Sequence, residues 1–369
     1  MNAEDSALGE FELIRRYFLR HPMAGARDAV PRTNASDARS RVILGIGDDA
    51  AVLALPPDTE LVAAVDTIVE GRHFPPGTEP RSIGHRALAV NLSDMAAMGA
   101  TPAWATLALA MPAVDAAWLE EFAAGFFDLA AAHGVELVGG DTVRGPLTLS
   151  VQILGYVPGG TALRRSGARA GDLLAVTGTL GDAAAGLALV LGGGADSAPA
   201  ADDTSAGSPS AAPPAIAPRW AVRELIRRFD YPEARVQFGA AARGIATAAM
   251  DLSDGLAGDL PKLARASGLA AHLDVGRLPL SAALRAAVSI ERAREWATTG
   301  GDDYELLLAV PPARYAGLEE AAARLNLTLT SVGELSAGSG VTWSLNGEDF
   351  TPRSSGFDHF GRGTTQITV

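Results

Sequence analysis

The residues best equipped for chemistry are aspartates, and they recur in six short segments: 45–50 (GIGDDA), 64–67 (AVDT), 91–95 (NLSDM), 139–142 (GGDT), 251–255 (DLSDG) and 300–305 (GGDDYE). A single Asp beside Gly ordinarily marks a turn, since both residue types tolerate unusual backbone angles. Six such segments ask for more, because several follow apolar runs that read as strands, and α/β proteins keep their ligand sites at strand ends. Carboxylates gathered in one place repel each other unless cations sit between them. Hard oxygen ligands suit Mg²⁺, and Mg²⁺ suits phosphate chemistry. Such a site can hold a triphosphate, with Arg144 or Arg165 neutralising phosphate oxygens. Phosphoryl transfer needs mainly positioning and charge stabilisation. An acceptor that is itself a phosphate, with a second pKa of about 6, is ionised at neutral pH and needs no strong general base.

Competing chemistries fall away on residue types. No Gly-rich turn ends in Gly-Lys-Ser/Thr, and the single lysine is Lys262, so P-loop and protein-kinase designs both lack their phosphate-binding amine. Gly45 and Gly47 do not make a dinucleotide fingerprint, and there is no GxSxG nucleophile elbow. The absence of cysteine removes disulfides, thiolate nucleophiles and Cys-based metal sites. A net charge of −13 argues against broad nucleic-acid binding. It does not argue against a small anion held by local Arg residues and Mg²⁺. Glu4, Asp5, Glu10 and Glu12 occupy the start in place of a basic and then apolar leader, and no apolar run approaches the roughly 18 residues that span a bilayer. The expectation is a soluble, cytoplasmic protein.

Elements that must position these aspartates can be read from periodicity. With 369 residues, 48% hydrophobic and 20% charged, the chain should form two globular domains. Phe11, Ile14 and Phe18 predict an opening amphipathic helix. The run 61–65 predicts a buried strand ending at Asp66, and 83–98 a helix with Asn91 and Asp94 on one face. A strand at 106–111 precedes a helix capped by Asp115, with Trp118, Phe122 and Phe126 in one stripe. Residues 135–138 predict a strand leading into a GGDT turn, and 147–157 another strand. A second unit begins near Arg164, with strands at 173–177, into Asp251, at 306–310 and at 328–332. Its helices fall at 183–191, 221–229, 236–245, 256–266 and 313–325. The stretch 192–218 is almost wholly Gly, Ala, Ser, Pro and Asp, a low-complexity insertion with little to bury and no assigned chemistry. The class is α/β or mixed α+β, with domains 1–160 and 161–369.

In this order and spacing the motifs closely resemble the thiamine-monophosphate kinase family, whose members transfer the γ-phosphate of ATP to thiamine monophosphate to make thiamine diphosphate. The resemblance rests on GEFELIRRYF, LGIGDDAAVL, DTIVEGRHF, RALAVNLSDMAAMGATPAWATLALAMP, GGDTVRGPL, RSGARAGDLLAVTGTLGDAAAGLALVL, MDLSDGLAGDL, GGDDYEL and GFDHF, from about residue 9 to 360. NLSDMAAMGATP is shared in outline with related synthetases, whereas DTIVEGRHF with GGDTVRGP and GFDHF is specific to these kinases. The resemblance implies the two-domain fold of the aminoimidazole ribonucleotide synthetase superfamily, with an N-terminal sheet that helps build a homodimer. It also implies ATP as co-substrate and several Mg²⁺ ions.

Position by position, the resemblance assigns metal binding to Asp49, Asp66, Asp94, Asp141, Asp251 and Asp254. ATP contacts fall on Gly140, Asp141, Arg165 and Ser253, and thiamine monophosphate contacts on His73, Asp302 and Phe357, whose ring suits a thiamine ring. Family members often have hydroxyl residues where Ala64 and Val65 stand, so a metal contact there falls to a backbone carbonyl or is lost. Asp302 stands where Glu is usual, one methylene shorter, which implies a longer or water-mediated substrate contact. Selenophosphate synthetases and the hydrogenase-maturation relatives need a cysteine that this chain lacks. Aminoimidazole ribonucleotide synthesis, or a non-catalytic nucleotide-binding regulator, are the other readings; six intact acidic segments speak against the second.

Overall fold

The computed structural model describes residues 10–19, 41–192 and 217–357. The low-complexity residues 193–216 and positions 358–360 of the GFDHF motif lie outside the described residues. The chain divides into two compact units, one holding the residues up to 95 and 99–162, the other 96–98 and most of the chain from 163 on. Among the described residues no helix is long and apolar enough to cross a membrane.

The first unit opens with α1 (Glu10–Leu13), which runs into a π-helical turn at Ile14–Phe18. The wider turn buries Leu13, Tyr17 and Phe18, while Ile14, expected in the buried stripe, is only partly covered. A small hairpin follows, β1 (Val42–Leu44) with β2 (Val52–Leu53). Then come β3 (Thr59–Val69), α2 (Pro80–Ala97), β4 (Thr101–Met111), α3 (Ala116–His133), β5 (Glu136–Arg144) and β6 (Thr148–Pro158). The four longer strands make one sheet in the order β3-β6-β4-β5. The β4–β5 pair is parallel, with α3 as the crossover, and the other pairs are antiparallel.

Asp115 caps α3 as expected, its carboxylate accepting the N–H groups of Ala117 (3.0 Å) and Trp118 (3.1 Å). Trp118 stacks on Phe122 at a centroid distance of 5.1 Å, and Phe122 and Phe126 are fully buried. One face of the sheet, carrying Val62, Ile68, Leu107, Leu149 and Val151, is buried. The other is open. Leu61 and Val65 of β3 are 52% and 62% exposed, so the strand expected to be buried throughout is covered on one side only. Its outward residues happen to be apolar too, which hid the alternation. The strand also continues through Asp66 to Val69. GGDT is not a turn either: β5 runs through it to Arg144, with a register shift at its start.

The second unit is built on a seven-stranded sheet in the order β13-β12-β9-β11-β7-β10-β8. Its strands are β7 (Leu173–Thr177), β8 (Ala248–Leu252), β9 (Leu269–Asp274), β10 (Glu305–Val310), β11 (Leu329–Ala337), β12 (Gly340–Leu345) and β13 (Glu348–Phe350). Every pair is antiparallel except β12–β9, so the mixed α+β description holds. The helices are α4 (Asp182–Gly192), α5 (Arg219–Asp230), α6 (Val236–Ala242), α7 (Leu256–Ser267), α8 (Ala282–Ala287), α9 (Ile290–Thr299) and α10 (Pro312–Arg324). α6 is shorter than the 236–245 expected, and Gly244 beyond it adopts a left-handed φ of 73°. Fully buried β8 and β10 sit side by side, with Met250, Leu252 and Leu307 in a core shared with Leu256, Leu260 and Leu263 of α7. That packing fixes where β8 hands over to α7.

Candidate active site

In the first unit the acids are spread over two edge strands, a helix and a loop. Asp66, on edge strand β3, shares the side of Val62 and Ile68, and its N–H donates to Asn91 Oδ1 (3.1 Å) on α2. Asn91 is fully buried, with its amide bonded to Ala87 O (3.0 Å), and Asp94 stands one turn further along the same face. Asp141 is exposed on β5, the opposite edge strand, where its register row runs through Ala108 and Ser150 to Thr67. The Thr67 and Ser150 hydroxyls hydrogen bond at 2.7 Å. Asp66 and Asp141 therefore occupy opposite edges and opposite faces, three strand spacings or about 14 Å apart. One chain does not bring them together.

Gly140, next to Asp141, packs against the backbone of Leu107 so closely that a Cβ would overlap the carbonyl oxygen. This explains a glycine inside a strand. Asp49 is exposed in the loop between β1 and β2, with its N–H bonded to Asp48 Oδ1 (2.8 Å). His73 follows β3, and its Nδ1 accepts the Val69 N–H (3.0 Å), which fixes the ring and the role of that nitrogen. Ala64 shares the side of Asp66, whereas Val65 points to the open face. Arg144 is exposed and spends its Nε on Pro112 O (3.1 Å).

The second unit gathers its residues into a corner made of backbone. Buried Asp251 lies near the end of β8, and Ser253, Asp254 and Gly255 lead into α7. Gly255 has φ 89°, and a Cβ there would stand 2.7 Å from Thr299 O, so only glycine makes this turn without strain. Asp259, in the first turn of α7, accepts the N–H groups of Ser253 (3.1 Å) and Asp254 (3.0 Å) on Oδ2. Its Oδ1 takes Lys262 Nζ at 2.8 Å, and the same ammonium reaches Asp254 Oδ2 at 2.5 Å. Burial pushes the Asp259 carboxyl above the ordinary carboxylate range, against the pull of Lys262. For Lys262 burial works downward, but its bonds to the two carboxylates prevail and hold it above the ordinary lysine value.

Two further segments join this corner. Asp302 N–H donates to Ser253 O (2.9 Å) and Tyr304 N–H to Leu252 O (2.9 Å), extending the β10–β8 ladder beyond its strands. Phe357 N–H donates to Asp254 O (3.0 Å), and its ring is 39% exposed. Asp302 and Tyr304 adopt left-handed φ values of 68° and 51°. Each such non-glycine position costs on the order of 1–3 kcal/mol, which the surroundings must over-determine. Between them Asp303 turns the other way, and its carboxylate accepts the N–H groups of Gly181 (2.6 Å) and Ala183 (3.2 Å) at the start of α4. Desolvation pushes its pKa well above the ordinary range, while these N–H bonds pull against it. Glu305 is fully buried, clasped by Arg235 through both guanidinium ends and by the Thr177 hydroxyl (2.7 Å). Arg165 is exposed beside β8, where Ala249 N–H meets Arg164 O (2.8 Å). A cleft of about 760 Å³, lined by Pro261, Arg265, Trp343 and Arg353 among others, contains none of the residues singled out from the sequence.

Among the described residues no group of three or more His, Asp or Glu side chains forms a ready-made metal cage. The donor set nevertheless fits Mg²⁺, which keeps several waters and is usually held by one or two carboxylates together with substrate phosphates. Asp66 with Asp94, and Asp251 with Asp254, offer hard oxygens of that kind.

The model of the AIR synthase related protein N-terminal domain matches residues 47–157, and that of the C-terminal domain residues 169–345. Over 355 residues the chain is 42% identical to the thiamine-monophosphate kinase of Escherichia coli (strain K12), covering 96% of this chain and 99% of that one. The chain belongs to the thiamine-monophosphate kinase family. A crystal structure of the thiamine-monophosphate kinase from Stenotrophomonas maltophilia K279a superposes with a TM-score of 0.74, at 43% identity, over 85% of this chain and 93% of that one. The structure of AaThiL complexed with AMPPCP and TMP does so at 0.68, with 27% identity over 98% and 99% of the two chains.

Within this thiamine-monophosphate kinase fold, sequence reasoning missed Asp259, Lys262 and Tyr304. Asp259 and Lys262 stand three apart on α7, a legible helix pair, but the bonds from Asp259 to backbone upstream of the helix leave no periodic trace.

Proposed function

We propose that the protein transfers the γ-phosphate of ATP to thiamine monophosphate, giving ADP and thiamine diphosphate. What carries this reading at the level of residues is the convergence of Asp302 and Phe357, far apart in the chain, on Ser253–Asp254 through backbone hydrogen bonds. A carboxylate complements the positive charge of the thiazolium ring, and a half-exposed aromatic ring offers it a face. Within the first unit, His73 is the residue read for thiamine monophosphate, its ring held by the Val69 N–H. The residues read for the nucleotide are Gly140 and Asp141 in the first unit and Arg165 and Ser253 in the second; the bare backbone at Gly140 and the Arg165 guanidinium each suit phosphate oxygens.

In the transfer, an oxygen of the thiamine phosphate bonds to the γ-phosphorus, the bond to the β,γ-bridging oxygen breaks, and ADP leaves with that electron pair. The acceptor is already ionised, so the residues need only align it and limit its repulsion from ATP. Magnesium, when bound, supplies the positive charge that such an encounter of anions requires. Asp49, Asp66, Asp94, Asp141, Asp251 and Asp254 would hold it. Residues 1–160 are read as the domain for ATP, metal and self-association, 161–369 as its α/β companion, and the cytoplasm as the site of action.

The working form is proposed to be a homodimer formed through the open sheet face that carries Leu61, Val65 and Val143. Purified protein with γ-labelled ATP, Mg²⁺ and thiamine monophosphate should place the label in thiamine diphosphate; ATP turnover indifferent to thiamine monophosphate would refute the reading. Light scattering should give twice the 37.8 kDa chain mass, and a monomer that is fully active would remove the dimer.

A further inference from the structure

We propose that Tyr304 is a positioning residue that fixes the Asp302 carboxylate for thiamine monophosphate, an inference that rests on Asp302 being a substrate contact. The Tyr304 hydroxyl donates to Asp302 Oδ1 at 3.0 Å, across only two residues. In an extended strand, side chains two apart point the same way but stand nearly 7 Å from each other at their bases. The short contact exists because both residues adopt left-handed φ while Asp303 between them is anchored to Gly181 and Ala183. The two flanking N–H groups are tied to Ser253 O and Leu252 O, so the backbone cannot swing to release the pair. The Tyr304 ring is itself buried at 9% exposure. Asp302 therefore meets its ligand with one oxygen already held, and its short side chain has a fixed direction.

This gives the tyrosine of GGDDYE a role distinct from its neighbours: Asp303 locks the backbone, Glu305 is clasped by Arg235, and Tyr304 orients Asp302. The test is a double-mutant cycle with Tyr304→Phe and Asp302→Asn, the first keeping the ring and its packing. Tyr304→Phe should raise the KM for thiamine monophosphate about 5-fold or more, as expected for losing a hydrogen bond to a charged group. It should leave kcat and the KM for ATP nearly unchanged. In the Asp302→Asn background the same change should have little further effect on KM. Equal effects in both backgrounds, or a silent Tyr304→Phe beside a defective Asp302→Asn, would overturn the positioning role alone. An unchanged KM in Asp302→Asn would instead overturn the assignment of Asp302 to the substrate.

Discussion

The two units hold their acids in opposite ways. In the first, Asp66 and Asp141 stand on the two edge strands of an open sheet, and Asp49 lies on an exposed loop. In the second, Asp254 and Asp302 are tied into a corner by main-chain bonds to Phe357, Ser253 and Asp259. In the first arrangement the carboxylates stand apart, and the fold of the unit does not tie them to one another. The second is organised by the fold before any ligand arrives. Charge in the first unit and shape in the second should therefore respond to different substitutions.

The largest effect is expected in the first unit. Asp94→Asn and Asp141→Asn should fold with unchanged melting temperature yet lose on the order of 10²-fold or more in turnover, as electrostatic stabilisation is removed. Excess Mg²⁺ should restore part of it. Near-normal turnover in both variants at limiting Mg²⁺ would erase the contrast between the units. In the corner, Phe357→Ala should chiefly weaken binding of thiamine monophosphate, by about 1–3 kcal/mol in KM, with turnover largely kept. An unaltered KM would take the aromatic face out of the pocket.

The smallest effect concerns Asp303. Desolvation raises its folded-state pKa above the unfolded value of about 3.9. Between those two values the folded protein binds more protons than the unfolded chain, so stability falls as pH rises through that window. Asp303→Asn has no proton to lose. The urea midpoint of the wild type relative to this variant should drop as pH is raised from about 4 toward neutrality. A difference that grows with pH would mean that the two N–H bonds at the start of α4 outweigh desolvation.

Where local chemistry decides, the sequence was a sound guide: the Asp115 cap, the Trp118–Phe122–Phe126 stripe and the buried run of β7 all stand as read. It was a poorer guide where partners decide. β9 (LAAHLD), β12 and β13 have weak alternation and become strands by lying along one another. The reach of β5 through GGDT depends on β4 beside it. Nor could local pattern say which of the adjacent aspartates at 302 and 303 anchors to the start of α4, because backbone angles set by β8 and α4 turn the two in different directions.

Lys262 is the only lysine in the chain, and it bridges Asp254 and Asp259. Amine-directed reagents thus have a single side chain to address, at the corner where the second unit gathers its residues. Its rate of labelling, and the shielding given by each ligand in turn, can report on that corner without an introduced probe.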